Sequence, residues 1–257
     1  MKKRHKSIYI KSFLLAVCLA VTALVPAVQA EASSGKKTVY VVTECTQDGS
    51  EKTTYKYNSD GLVTKKTSPA GVTNYYYKNK RLVKEVEKDP LYEEDQTITY
   101  SYDKKGRICK YVIRDNKTNR TTATVRVTYD GKNRIQKLAE DRGSSKVNYS
   151  MKYNGTLLRK MTATIKGTST KETYRFTYNG KRYIRKIKYP WATVRSTFSY
   201  KHGRISKRTE KTTYKDKSTS KSVYKYSYKK MRVPKSRANQ IKEQQRSILE
   251  VRWNLFN

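Results

Sequence analysis

Along residues 55–235 the chain repeats one local pattern of apolar and polar positions. An aromatic or apolar residue, any residue and an aromatic anchor come first. Turn-forming residues follow, and then an aliphatic residue, any residue and a lysine. The anchors are Tyr57, Tyr77, Tyr102, Tyr129, Tyr153, Tyr178, Tyr200 and Tyr228, spaced 20 to 28 residues apart. Two positions before them stand Tyr55, Tyr75, Tyr100, Val127, Met151, Phe176, Phe198 and Tyr226. The closing pairs are Val63 and Lys65, Leu82 and Lys84, Ile108 and Lys110, and Ile135 and Lys137. They continue as Leu158 and Lys160, Ile184 and Lys186, Ile205 and Lys207, and Val233 and Lys235.

A spacing of two puts the aromatic doublet on one face of a strand, and predicts the aliphatic residue and its lysine on one face of the next. Between them, Asn-Gly or Asp-Gly supplies the positive φ that tight hairpin turns need. Each unit therefore predicts a β-hairpin, with rings set across from aliphatic side chains or lysine stems at about 0.2–1 kcal/mol per pair. One hairpin is marginal in water; eight in series complete one another's sheet, as stacked repeats do. The predicted fold is all-β, an antiparallel meander of about eight β-hairpin repeats, either a strongly curved open sheet or a closed barrel.

The ends differ from the middle. Thr38–Thr43, TVYVVT, is a strand candidate, and Ala238–Arg246 is a polar stretch of good helix formers. Leu249, Val251, Trp253 and Leu255 then alternate with polar residues, which predicts a final strand. The alternative is a helix continuing through Arg252. Pairing of the two terminal strands would remove both sheet edges and close a barrel. The expected domain structure is a leader over 1–30 and one β-repeat domain over 31–257, capped from about 236 onward.

Residues 1–30 read as a cleaved signal peptide: a basic start, an apolar run from Phe13 to Val28, and small residues in Val28-Gln29-Ala30 that place the cut after Ala30. A retained anchor is the rival reading, but the run is broken by Pro26 and falls short of the roughly 20 residues a spanning helix needs. A lipoprotein signal at Cys18 is disfavoured by the bulky Val17. The expected location is secreted or at a bacterial cell surface, with no transmembrane segment after cleavage.

Charge changes the picture further. The whole chain carries +37, and removal of residues 1–30 takes away five Lys/Arg and no acid, leaving +32. Such an excess predicts attraction to anionic polymers. Leu, Ile, Val and Phe make up only 36 of residues 31–257, but 22 tyrosines there add rings that tolerate half-wet positions. Cys45 and Cys109 could form one disulfide in an exported chain; their place in different repeats argues against it, and the sequence leaves both options open.

Tyr102-Asp103-Lys104-Lys105-Gly106-Arg107-Ile108 resembles the YD repeat, also called the RHS repeat, with looser matches at Tyr57–Leu62 and Tyr129–Ile135. The resemblance spans roughly 55–235 and implies a strip of hairpins. In that family such strips spiral into a shell, sometimes around a toxin; eight units without a cleavage motif imply a strip and not a complete capsule, and no activity carries over.

Catalytic chemistry has little to work with. His202 is the one histidine beyond the leader and lies in a turn sequence, so a base-activated nucleophile lacks its usual partner. Glu93, Glu94 and Asp95 are adjacent acids that read as a solvated loop, and no metal-ligand spacing occurs. No catalytic, cofactor or metal residue is assigned. The candidate binding residues are the ladder Tyr57, Lys65, Tyr77, Lys84, Tyr102, Lys110, Tyr129, Lys137, Tyr153, Lys160, Tyr178, Lys186, Tyr200 and Lys207. They predict a non-enzymatic protein that binds an anionic envelope polymer or glycan. A nucleic-acid binder, with rings stacking on bases, and a toxin-associated or hydrolytic module are the alternatives.

Overall fold

The computed structural model describes residues 35–90, 94–181 and 183–250. The leader, the acid Glu93 and the tail with Val251, Trp253 and Leu255 lie outside that description. The first half of the domain runs β1 (Lys36–Gln47), β2 (Glu51–Tyr57), β3 (Val63–Ser68), β4 (Gly71–Lys78), β5 (Arg81–Asp89), β6 (Glu94–Tyr102), β7 (Ile108–Asp115) and β8 (Thr121–Tyr129). The second half runs β9 (Ile135–Asp141), β10 (Lys146–Asn154), β11 (Leu157–Ile165), β12 (Lys171–Tyr178), β13 (Ile184–Lys188), β14 (Ala192–Lys201), β15 (Arg204–Tyr214) and β16 (Thr219–Pro234). A 3-10 turn at Lys235–Arg237 leads into α1 (Ala238–Glu250).

All sixteen strands pair antiparallel with their chain neighbours, and β16 pairs with β1, so the sheet is a closed barrel. The seam is well registered, with eleven pairs from Lys36↔Pro234 to Gln47↔Tyr224. Closure rather than an open curved sheet follows from β1 supplying a full-length partner, which leaves no edge exposed. The expected partner, Leu249–Leu255, does not serve: Leu249 and Glu250 belong to α1, and the positions after them lie outside the described residues. The helix therefore runs past the predicted start of the final strand; the rest of the alternative, a helix continuing through Arg252, lies outside the described residues.

The aromatic doublets do share a face. In β4, Thr73, Tyr75 and Tyr77 turn toward the barrel interior, while Tyr76 is exposed on the outside. Tyr55, Tyr75, Tyr100, Val127, Phe176 and Tyr226 are buried in one interior cluster, with the anchor rings of Tyr57, Tyr77, Tyr102, Tyr129, Tyr178 and Tyr228 packed along it. The aliphatic–lysine pairs do not share a face. Register shifts fall just before each anchor, as at Lys56/Tyr57, Tyr76/Tyr77 and Ser101/Tyr102, so one extra residue sits in the partner strand. Tyr57 stands opposite Val63, but Lys56 stands opposite Lys65. A slip of one residue exchanges faces, and the bulge therefore keeps the aliphatic residue inside and sends its lysine out.

The eighth unit closes differently from the predicted Val233 and Lys235. Tyr228 stands opposite Val42 and Ser227 opposite Glu44, with the register shift between them, so β1 supplies the bulge that β16 needs. Val233 instead packs with Val41, Leu62 and Ile241 in a small cluster where α1 enters, and Lys235 opens the 3-10 turn.

A sixteen-stranded barrel is wider than its own wall side chains fill. Here α1 enters at the end that holds the Tyr57–Val63 turn and occupies the lumen. Ile248 and Leu249 join the main interior cluster. Gly61 sets the entry: it has φ +80°, and a Cβ there would come within 2.7 Å of Ile241 Cδ1. Positive φ and close approach both demand glycine at that turn. The helix glutamines complete the bulges. The Val42 N–H donates to Gln245 Oε1 at 2.7 Å, and the Val63 N–H donates to Gln244 Oε1 at 3.2 Å. At the far end of α1 the Leu249 carbonyl accepts from the Tyr226 hydroxyl at 3.0 Å and from Arg208 Nη1 at 3.4 Å. A guanidinium there favours the negative end of the helix dipole.

Cys45 and Cys109 are both free thiols. Cys45 lies in the interior cluster, where burial pushes its thiol up to about 11. Cys109 follows Ile108 in β7, its Sγ 3.6 Å from the Ser101 carbonyl. Strands β2 to β6 separate the two along the sheet. The disulfide option is therefore not taken.

Candidate functional site

The ladder of tyrosines and lysines is split by the wall of the barrel. Tyr57, Tyr77, Tyr102, Tyr129 and Tyr178 pack on the inner cluster, and Tyr153 is half-buried opposite Leu158. Tyr200, opposite the buried Ile205, is the more exposed anchor. Their hydroxyls have a structural task. Tyr77 donates to the Val63 carbonyl at 2.9 Å, Tyr102 to Leu82 at 2.6 Å and Tyr129 to Ile108 at 2.9 Å. Tyr178 donates to Leu158 at 2.8 Å and Tyr228 to Ile205 at 2.6 Å. Tyr57 closes the ring by donating to Val42 across the seam. These six anchors thus satisfy the carbonyl of the aliphatic residue at the bulge one unit back.

The arginine of the Tyr-Asp-x-x-Gly-Arg phrase works in the same ring, a role that the aliphatic–lysine pattern does not announce. The Arg107 N–H and Nε donate to the two carboxylate oxygens of Asp103, and Arg134 pairs with Asp130 likewise. So held, Arg107 lies 4.3 Å from the centre of the Tyr129 ring, and Arg134 lies 4.8 Å from that of Tyr153. Arg81 over Tyr102 and Arg204 over Tyr228 repeat the contact. These arginine–aspartate contacts hold the Asp103 and Asp130 carboxyls below the usual carboxylate range. A visible signal was the recurrence of Arg directly before Leu82, Ile108, Ile135 and Ile205.

The lysines take the outer wall. By register Lys65 stands opposite Lys56, Lys110 opposite Arg126, Lys160 opposite Lys152 and Arg175, and Lys186 opposite Arg195. Lys207 faces Lys225, Lys137 faces Thr128 and Ser150, and Lys84 faces Tyr76, whose ring centre is 4.3 Å from its Nζ. Directly opposed like charges on a sheet are destabilising. The wall as built is a mainly cationic surface interleaved with Thr, Ser and Asn, with Glu44 paired to Lys52 and Asp141 to Lys146.

Acids collect inside. Glu85 is buried beneath Tyr100, whose hydroxyl donates to it at 2.7 Å, and burial pushes its carboxyl up to about 8 despite that bond and the nearby Lys66. Burial pulls the Lys66 ammonium down in turn, against the pull of Glu87, Glu85 and Asp89. Glu140 pairs with Arg142 and accepts from Tyr149. Arg208 is 1% exposed, with Glu210 3.0 Å from its Nη2 and the Tyr224 ring centre 4.4 Å from its Cζ. Glu85 and Glu140 are hydrogen-bonded by these tyrosines, whereas Arg208 is ion-paired to Glu210 with its Nε and Nη2 lacking a hydrogen-bond acceptor. His202 occupies a turn at φ +49°, and among the described residues no three His, Cys, Asp or Glu side chains are grouped to hold a metal.

Among solved structures, a porin-like protein from Bacteroides uniformis superposes with a TM-score of 0.52 at 14% identity, covering 76% of this chain and 96% of its own. A porin-like protein from Bacteroides vulgatus gives 0.37 at 11% identity, over 74% of this chain and 99% of that one. TcdB2-TccC3-Cdc42 gives 0.23 at 8% identity, with 66% of this chain on 15% of that one. The first of these shares the barrel fold; the other two superpose too loosely to bear on it. No protein family matches the sequence. No curated protein matches it either.

Proposed function

We propose that this chain is an exported, non-enzymatic barrel that binds an anionic polymer of the cell envelope through its outer wall. The observation that carries the reading is the division of the repeat by the bulge: lysines outside, tyrosines inside and hydrogen-bonded to the wall. Binding then works by charge and not by ring stacking, because most anchor rings are engaged in holding the barrel. That withdraws most of the ladder's rings from the stacking on which single-stranded nucleic-acid binding depends, and favours a polymer whose recognition needs only its charges.

The same wall speaks to the membrane. A membrane-spanning barrel carries an apolar outer band and a polar interior, and a lysine facing lipid at mid-depth costs about 2–4 kcal/mol. Here Lys110, Lys160 and Lys186 point outward from the strands, and the apolar cluster is inside. The outer wall is built for water and counter-ions.

Cell fractionation tests the proposal. The mature protein is expected in the envelope fraction at low ionic strength and in the wash at roughly 0.5–1 M salt, where the Debye length falls toward 3 Å. Release only by detergent, or no association at any salt concentration, would overturn it.

A further inference from the structure

Positive charge is unevenly spread around the barrel. Residues 35–145 hold 23 Lys/Arg against 15 Asp/Glu, whereas residues 146–230 hold 24 against 3. The three acids of that second stretch do not reach the outer wall of its strands. Glu172 stands opposite the buried Ala163 and is bonded to Tyr174; Glu210 stands opposite the buried Ser196 and is paired with Arg208. Asp216 sits in a turn, bonded to Ser218. The outward face of β10–β16 therefore carries cations, hydroxyls and amides and no carboxylate.

Register arranges those cations in rows across the strands. Lys152, Lys160, Arg175 and Lys188 are successive partners from β10 to β13. Lys186, Arg195, Lys211 and Lys221 are successive partners from β13 to β16. With strands about 4.8 Å apart, each row places four cations over roughly 14 Å. No carboxylate stands opposite any of them. Every such pairing opposes folding, and an anion laid across the rows would relieve it.

Resting on the polyanion reading above, we infer that the outer wall of β10–β16 is the docking face, and that it takes a linear poly(phosphodiester) without aromatic bases, laid across the strands. Phosphate suits the closely set lysines as point charges and the two arginines as forks. Between the rows the outer wall offers bases no ring: Tyr200 and Tyr214 stand opposite the inward Ile205 and Ala192, and the exposed Trp191 lies in the turn before β14, stacked between Tyr189 and Tyr214. The row geometry also predicts that contacts add with polymer length until both rows are spanned.

The test compares two charge-matched variants of the mature protein. One replaces Lys160, Arg175, Lys186, Arg195, Lys211 and Lys221 with Gln. The other replaces Lys56, Lys65, Lys84, Lys110, Arg126 and Lys137, outward cations of the other half. Binding of fluorescent poly(glycerol phosphate) is titrated across a salt series, with oligothymidylate of equal charge as the second probe. The first variant should lose at least tenfold in affinity at 50 mM salt and show a shallower salt slope; the second should lose threefold or less. The wild type should prefer poly(glycerol phosphate) or hold both probes equally, and the first variant should melt no lower than wild type, since it relieves repulsion. Equal losses in the two variants would overturn the docking face while leaving diffuse polyanion binding intact. Clear preference for oligothymidylate would overturn the base-free polymer. Wild type that binds neither probe would overturn the underlying reading as well.

Discussion

The Tyr129 hydroxyl donates to the Ile108 carbonyl at 2.9 Å, and Arg107, the residue just before Ile108, lies over the Tyr129 ring. One tyrosine thus joins two successive units by both its edge and its face. Tyr129→Phe keeps the ring and loses the hydrogen bond, so it should cost about 1–3 kcal/mol by leaving the carbonyl unsatisfied. Tyr76→Phe, on an exposed outward ring, should be near neutral. Urea denaturation of the two variants checks the contrast; equal effects would remove the hydroxyl ring from the account.

Gly61 and Gly203 both have positive φ, yet differ in surroundings. Gly203→Ala meets nothing within 4 Å and should cost about 1 kcal/mol of backbone strain. Gly61→Ala would in addition drive a methyl into Ile241 and Val233, and should cost clearly more. It should also loosen α1, read as faster amide exchange of the Val42 and Val63 N–H groups that the helix glutamines hold.

Arg208 holds Glu210 and the end of α1 inside the barrel. Arg208→Ala leaves a carboxylate and a carbonyl without that partner, and should cost on the order of 3–5 kcal/mol. In Arg208→Met with Glu210→Gln, the stem volume is kept and no charge is left behind, so much of that loss should return. Chemical denaturation of the single and double variants measures it.

The Glu85 carboxyl, raised to about 8 by burial, makes stability fall with pH. Between its ordinary value of 4.5 and about 8, the folded state keeps a proton that the unfolded state has released. Glu85 therefore stabilises the fold fully below the ordinary value, and that contribution is lost as pH rises toward the folded value. Wild type should lose a few kcal/mol between pH 5 and 9, at about 1.4 kcal/mol for each unit of the shift. In Glu85→Gln, which can still accept from Tyr100, this part of the slope should vanish. An unchanged slope would mean that Glu85 ionises freely in the fold.

The sequence alone determined the hairpin, the side of the doublet and the repeat, because these rest on local facts. Tyr55 and Tyr57 share a face through a two-residue period, and Asn or Gly at positive φ turns the chain within a few residues. What it misplaced was Lys65 and its counterparts, since a bulge exists only between two paired strands. No local pattern says that Lys56, and not Tyr57, will stand opposite Lys65.

Only the tertiary structure decided closure. Val42 completes the unit of Tyr228 from the other end of the chain, and Gln245 is a polar helix residue until it stands against the N–H that the Val42 bulge leaves over. The excess of cations over residues 146–230 was countable in the sequence, but its facing was not. Facing is set by register, register by long-range pairing, and such pairing satisfies the backbone of both partners at once or not at all.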